Sequence, residues 1–200
     1  MFDPTTLIAD RAHAIDASGI RRVFDLAADI KDPINLSIGQ PDFDVPEPAK
    51  RAAIEAIETG HNKYTQTQGI AALRDAITAN VRGAFGHDGR WGEFGTLVTS
   101  GVSGGLMLTM LTCIEPGDEV LVPDPYFVMY KHLVTMAGGT PVFVDTYPDL
   151  RLTAERVAAA MTDRTKLLLL ASASNPTGVV TPPETMRAIV EVCERHGVLL

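Results

Sequence analysis

Apolar positions recur at helical spacing through the first part of the chain, and from Thr96 onward short apolar or β-branched runs alternate with helical patterns. Ser18 can cap a helix whose Ile20, Val23, Phe24 and Ala27 share a face and which stops at Asp32-Pro33, so a helical arm extends to about Lys31. Ile34 to Ile38 reads as a short extended segment, and Gly39-Gln40-Pro41-Asp42 with Pro46 and Pro48 reads as a loop. Two helices follow. Ala49, Ala53, Ala56 and Ile57 line one face of the first, which Gly60 ends; Ile70, Leu73, Ile77 and Val81 line the second.

Beyond that point the runs Thr96–Thr99, Glu119–Val122, Thr140–Val144, Lys166–Ala171 and Val198–Leu200 predict buried strands. Continuous apolar strands separated by helices predict an α/β fold with a mostly parallel sheet and helices on both faces, because parallel neighbours need crossover connections. The helix before the last strand has the fullest set of signals. Thr181 can cap it, Pro182 suits its first position, Glu184 completes a capping box, Met186, Ile189, Val190 and Cys193 form its inward stripe, and Gly197 ends it. The last predicted strand reaches Leu200 without its following crossover, an end a natural domain would seldom have, so the chain is expected to be part of a longer protein.

With 46% hydrophobic and 21% charged residues, the 200-residue chain can bury a substantial core. The formal net charge of −8 changes the picture more. Binding to nucleic acid or an anionic membrane draws on clustered Lys and Arg, so neither is an expected partner, and a phosphate ligand must be held locally by directed groups. Cys113 and Cys193 lie in apolar helical stretches without metal or redox spacing and are expected to be buried, inert thiols of a reducing compartment, the cytoplasm. The opening residues carry no basic region followed by an apolar core, and no apolar run reaches membrane-spanning length. His13, His61, His87, His132 and His196 lack metal-site spacing, so each is read as an exposed or satisfied histidine and no metal is expected.

Ligands of open α/β sheets gather at the carboxyl ends of strands, which directs attention to three loops. Thr99-Ser100-Gly101-Val102-Ser103-Gly104-Gly105 is a small-residue turn into a helix, where backbone N–H groups and the helix dipole suit an anion; a simple tight turn capped by Ser100 or Ser103 explains it equally. Pro125-Tyr126-Phe127-Val128-Met129-Tyr130 puts Phe127 and Tyr130 on one helical face, either covering a planar ligand or filling the core. Ser174-Asn175-Pro176-Thr177-Gly178 holds an amide at the sheet edge, with Pro and Gly shaping a turn around it. Upstream, Tyr64 is a phosphate donor or a surface tyrosine.

Together these segments resemble the fold-type I, class I and II aminotransferases of the aspartate aminotransferase superfamily. The likeness runs over nearly all of the chain through Gly39-Gln-Pro-Asp-Phe-Asp-Val-Pro, Lys63-Tyr-Thr with Gly69 and Leu73-Arg74, Val98-Thr-Ser-Gly with Leu106, Pro116-Gly-Asp-Glu-Val, Pro125-Tyr-Phe with Tyr130, and Asn175-Pro-Thr-Gly. What the resemblance implies is a cofactor, pyridoxal 5'-phosphate, whose phosphate Gly101, Val102 and Ser103 would bind chiefly through main-chain N–H groups. Phe127 would stack on its ring, and Asn175 would bond the ring's phenolic oxygen and reach the substrate. Gly39 and Tyr130 would face the substrate, and Tyr64 would reach the phosphate of a neighbouring subunit, which implies a homodimer.

The same resemblance makes residues 1–46 an arm and substrate loop belonging partly to a small domain, and residues 47–200 an incomplete cofactor-binding large domain. It places the Schiff-base lysine, the aspartate that meets the ring nitrogen, and the phosphate- and carboxylate-binding arginines beyond Leu200. Lys31, Lys50, Lys63, Lys131 and Lys166 stand in other contexts, so no catalytic residue is assigned within the chain. Val102 stands where small or polar residues are common in the family, and Gly104-Gly105 lowers helix propensity at that turn. The expected activity is transfer of an amino group between an amino acid and a 2-oxo acid. A β-lyase of the same fold, a ligand-sensing domain without catalysis and a nucleotide-binding module are the alternatives, the last leaving Asn175-Pro-Thr-Gly unexplained.

Overall fold

The computed structural model describes residues 3–15, 26, 30–31, 34, 39, 41–85 and 94–200. Its helices, in chain order, are α1 Asp10–His13, α2 Glu47–Glu58, α3 Ala71–Phe85, α4 Gly101–Cys113, α5 Met129–Ala137, α6 Ala154–Ala160 and α7 Pro183–His196. Its strands are β1 Glu119–Asp124, β2 Thr140–Asp145 and β3 Thr165–Leu168. Two compact units divide the chain, Met1–Ser18 with Val102–Leu200, and Gly19–Gly101.

In the first unit the strands form a parallel sheet in the order β2-β1-β3, as the alternation of apolar runs and helical patterns predicts. Helices α5 and α6 supply the crossovers that parallel neighbours require. Glu119 lies opposite Thr140 and Asp124 opposite Asp145, while on the other side Leu121 lies opposite Leu168 after a register shift between Glu119 and Val120. Leu199 bridges to Leu167 in parallel, with Leu168 N–H donating to Leu199 O at 2.8 Å and Leu199 N–H to Lys166 O at 3.0 Å.

Successive side chains of a strand face opposite ways, and here both faces are apolar and covered. Leu121, Val144 and Leu168 meet Val157 of α6 and Ile189, Val192 and Cys193 of α7. Val120, Val122, Leu167 and Leu169 meet Met110 and Ile114 on the α4 side and Leu133 and Val134 of α5. Burying each such side chain contributes about 1.5–3 kcal/mol. Tight passages follow from this packing. A Cβ on Gly139 would lie 2.6 Å from Ile114 Cγ2 and 3.2 Å from Val134 Cγ1, so only glycine lets the chain turn beneath α5 into β2.

Thr153 caps α6, its hydroxyl accepting from Arg156 N–H at 3.3 Å. Helix α7 starts differently from expectation. Pro182 is its N-cap and offers no side-chain bond, Pro183 opens the helix, and Thr181 instead donates its N–H to Ser172 Oγ at 3.0 Å. A residue before proline is pushed toward extended backbone, and Pro182 with ψ 148° obeys that rule ahead of Pro183, so the helix cannot begin one residue earlier. The start therefore shifts and the proposed capping box does not form. Its buried stripe is Ile189, Val192 and Cys193, with Val190 only half-buried. Burial pushes the Cys193 thiol pKa up, Cys113 is half-buried rather than buried, and His132 lies in the interior.

The second unit contains α2 and α3. Helix α2 ends with His61 N–H bonded to Ala56 O at 2.8 Å and Gly60 N–H to Ile57 O at 3.1 Å, and Gly60 takes φ +80°, the left-handed stop its sequence predicts. Asp44 accepts from Val45 N–H at 2.7 Å and pairs with Lys50; these two contacts, Lys50 first, hold its carboxyl below the ordinary range. Gly69 takes φ +96°, and a Cβ there would meet Val98 Cγ2 at 2.6 Å.

Thr96–Thr99 is not a strand. Val98 N–H bonds to Gln68 O at 3.0 Å and the Thr96 hydroxyl pairs with that of Thr78 at 2.7 Å, so the segment is held by a loop and a helix instead of a ladder. β-branched residues fit a sheet surface where a neighbouring strand offers one, and none does so here among the described residues. The helix read over residues 18–31 and the extended segment read over 34–38 lie almost wholly outside the described residues.

Replacing Leu121 by Ala in the centre of its cluster is expected to lower the unfolding free energy by about 2–5 kcal/mol, and Leu121→Met by less than about 1.5 kcal/mol. Urea unfolding checks both, and equal losses would show that filled volume at this position does not matter. A second expectation concerns Glu119, a buried carboxylate that accepts from the Thr162 hydroxyl at 2.6 Å and pairs with Arg164. The Thr162 bond leads and Arg164 adds to it, against the opposing effect of burial, in lowering its pKa. Its stabilisation is then full above the unfolded carboxyl value of about 4.3 and is lost as pH falls through the lower folded value. The stability gap between the parent and Glu119→Gln should narrow on acidification, and a pH-independent gap would contradict the assignment.

Candidate functional site

Because the strands are parallel, their carboxyl ends lie along one edge, and the segments leaving β1, β2 and β3 meet there. A cleft opens between them, lined among others by Pro125, Tyr126, Tyr130, Thr146, Leu152, Asn175 and Thr177. The Asp124–Pro125 and Asn175–Pro176 peptide bonds on its two sides are cis.

After β1, the Tyr126 ring stacks on Phe143 of β2, with centroids 5.0 Å apart and planes 14° from parallel. Phe127 lies just before the N-cap of α5 rather than within the helix, yet its ring still meets Tyr130 edge-on at 5.7 Å. Past β3 a closed turn carries the amide. Ser174 N–H bonds to Val179 O at 2.9 Å, Gly178 N–H to Ser174 O at 2.7 Å and Val179 N–H to Thr177 Oγ1 at 3.2 Å, while Gly178 takes φ +72°.

Asn175 sits inside this turn without holding it. Its side-chain amide and the Tyr130 phenol make no hydrogen bond among the described residues, so both line the cleft with donor and acceptor capacity to spare. Thus two of the residues singled out in the sequence share one cleft, and a third, Phe127, touches one of them.

The remaining residues stand elsewhere. Val102 and Ser103 are exposed in the first turn of α4, where N–H groups have no intrahelical partner. Gly101 opens that helix at φ +68°, a Cβ there would find nothing within 4 Å, and neither Ser100 nor Ser103 caps the helix with a side-chain bond. Gly39 and Tyr64 are exposed in the Gly19–Gly101 unit. Sequence reasoning missed Thr146 and gave Tyr126, quoted within its segment, no role of its own. Thr146 directly follows β2, so the same strand-end rule that drew attention to the other loops also marks it.

Residues 31–200 match the family model of the class I and II aminotransferases. The aspartate aminotransferase of Geobacillus stearothermophilus is 35% identical over 199 residues, an alignment covering 96% of this chain and 50% of that protein. Aromatic-amino-acid aminotransferase 2 of Thermococcus litoralis is 33% identical over 195 residues, covering 96% and 50%. Among solved structures, the aspartate aminotransferase from Thermus thermophilus with maleate superposes with a TM-score of 0.86 at 34% identity, covering 96% of this chain and 52% of that one. The chain spans about half the length of the curated relatives it matches.

An amide that shapes nothing should be dispensable to folding. Asn175→Ala is expected to leave the unfolding free energy from urea titration within about 0.5 kcal/mol of the parent, whereas Gly178→Ala, forced into left-handed backbone, should cost about 1–2 kcal/mol. A large loss on Asn175→Ala would assign the amide to the turn.

Proposed function

We propose, for a chain that belongs to the class I and II aminotransferase family, that the full-length protein transfers an amino group between an amino acid and a 2-oxo acid with pyridoxal 5'-phosphate. The observation that carries this reading is the pair of unspent polar tips, Asn175 and Tyr130, in one cleft at the strand ends, with the Phe127 ring against Tyr130. Pyridoxal phosphate has a planar ring, a phenolic oxygen and a phosphate, and the chain offers a counterpart to each.

Phe127 presents an aromatic face for the ring. Asn175 can donate to the phenolic oxygen and hold the ring's orientation. Gly101 admits an anion close to the backbone, and the free N–H groups of Val102 and Ser103 at the start of α4 suit a phosphate that a chain of net charge −8 must hold locally. When bound, the cofactor supplies the electron sink of the reaction. On this reading Tyr130 and Gly39 face the substrate, and Asn175 also bonds its carboxylate.

Tyr64, fully exposed here, is assigned to the phosphate of a neighbouring subunit in a homodimer. The arm over residues 1–46, the large domain over 47–200 and a cytoplasmic location belong to the same reading; no helix among the described residues is long and apolar enough to cross a membrane. The lysine that bonds the cofactor is assigned to the part of the relatives' length that this chain does not span.

Titrating the full-length protein with pyridoxal phosphate should give a saturable absorbance change, and adding amino donors with a 2-oxo acid should give the exchanged pair of products. Asn175→Ala should weaken the titration by about tenfold or more, the effect of losing a hydrogen bond to a charged partner. Saturation without turnover would leave a sensing domain, release of ammonia in place of exchange would make the protein a lyase, and no saturation would overturn the reading.

A further inference from the structure

The wall of the cleft that follows β2 is held from outside the cleft. Arg156 on α6 donates from Nη1 to Thr146 O at 3.0 Å, to Asp149 Oδ1 at 2.9 Å and to the Arg151 carbonyl, and from Nη2 to Tyr147 O at 3.0 Å. A planar guanidinium with several fixed donors can gather a loop in this way, and a single ammonium point cannot. The helix bearing it is anchored by the next residue, Val157, which is fully buried. Asp149 is held below its ordinary pKa chiefly by its bond from Arg156.

Thr146 carries that constraint across the sheet. Only 3% exposed, it donates Oγ1–H to Asp124 O at 2.6 Å, and its N–H reaches the same carbonyl at 3.3 Å. Register pairing ends at Asp124 opposite Asp145, so these bonds extend the β1–β2 connection one residue past the ladder. Asp124 directly precedes Pro125-Tyr126-Phe127. The hydroxyl of Thr146 is therefore committed to the backbone that launches the aromatic loop, although the residue itself lines the cleft.

We propose that Thr146, itself held by Arg156, is a positioning residue that fixes the Pro125-Tyr126-Phe127 loop and with it the ring surface offered to the cofactor. The second half of that statement rests on the function proposed above; the first does not. Thr146→Val removes the hydroxyl at nearly constant shape, and Thr146→Ser restores it.

In the full-length protein, Thr146→Val should speed amide hydrogen exchange across Tyr126–Tyr130 without added cofactor and weaken pyridoxal phosphate binding by about tenfold. Thr146→Ser should stay near the parent in both. If Thr146→Val does not fold, Arg156→Lys, which keeps the charge but cannot reach all four acceptors, should shift both readouts the same way. Unchanged exchange with unchanged affinity overturns the proposal, as does an equal loss in the Ser and Val variants, which would assign the effect to the methyl group. Faster exchange in Thr146→Val beside a parent that binds no pyridoxal phosphate would uphold the positioning and overturn the functional reading alone.

Discussion

Val120, Leu121 and Val122 are fully enclosed, and since consecutive strand residues face opposite ways, β1 needs cover on both sides at once. Helices α6 and α7 close one face, and the α4 and α5 residues close the other. The two neighbours of β1 are parallel and so are joined to it through helices, and all three strands end along the same edge. The cleft is a consequence of that alignment. Its walls are three segments separate in the chain, brought together because the parallel strands that precede them end side by side.

Polar groups in this unit divide by what they are bonded to. Glu119, Thr146 and Arg156 spend their bonding capacity on the fold: a carboxylate on Thr162 and Arg164, a hydroxyl on the end of β1, a guanidinium on the loop after β2. Asn175 and Tyr130 spend none within the described residues. An unpaired amide and phenol facing a cleft keep their capacity for a ligand, while the rigid bonds around them reduce what must be ordered when one binds. This contrast, more than the identity of any single residue, separates the site from its scaffold.

One relative named for aspartate and one named for aromatic amino acids align over 96% of the chain at 35% and 33% identity. Comparable likeness to relatives named for different substrates singles out neither substrate for this chain. Leu150 and Leu152 add apolar lining to the same cleft as Asn175.

Local chemistry was enough to place most elements and the loops that matter. The helical stop at Gly60, the strands at Glu119 and Thr140, the left-handed Gly197 and the turn around Asn175 follow from spacing, backbone freedom and turn residues, all of which act within a few positions of the chain. Other features depended on partners that no local pattern names. Thr96–Thr99 has the composition of a strand but no neighbour to pair with, and the second of two prolines moved the start of α7 because backbone sterics outrank a capping signal. Thr146 is marked in sequence only by its place after a strand, and its bond to the Asp124 carbonyl, 22 residues away, forms only when the sheet is assembled. Propensity and capping are short-range properties and were legible in the sequence; the pairing of strands and the spending of each polar group are long-range and were decided by the tertiary fold.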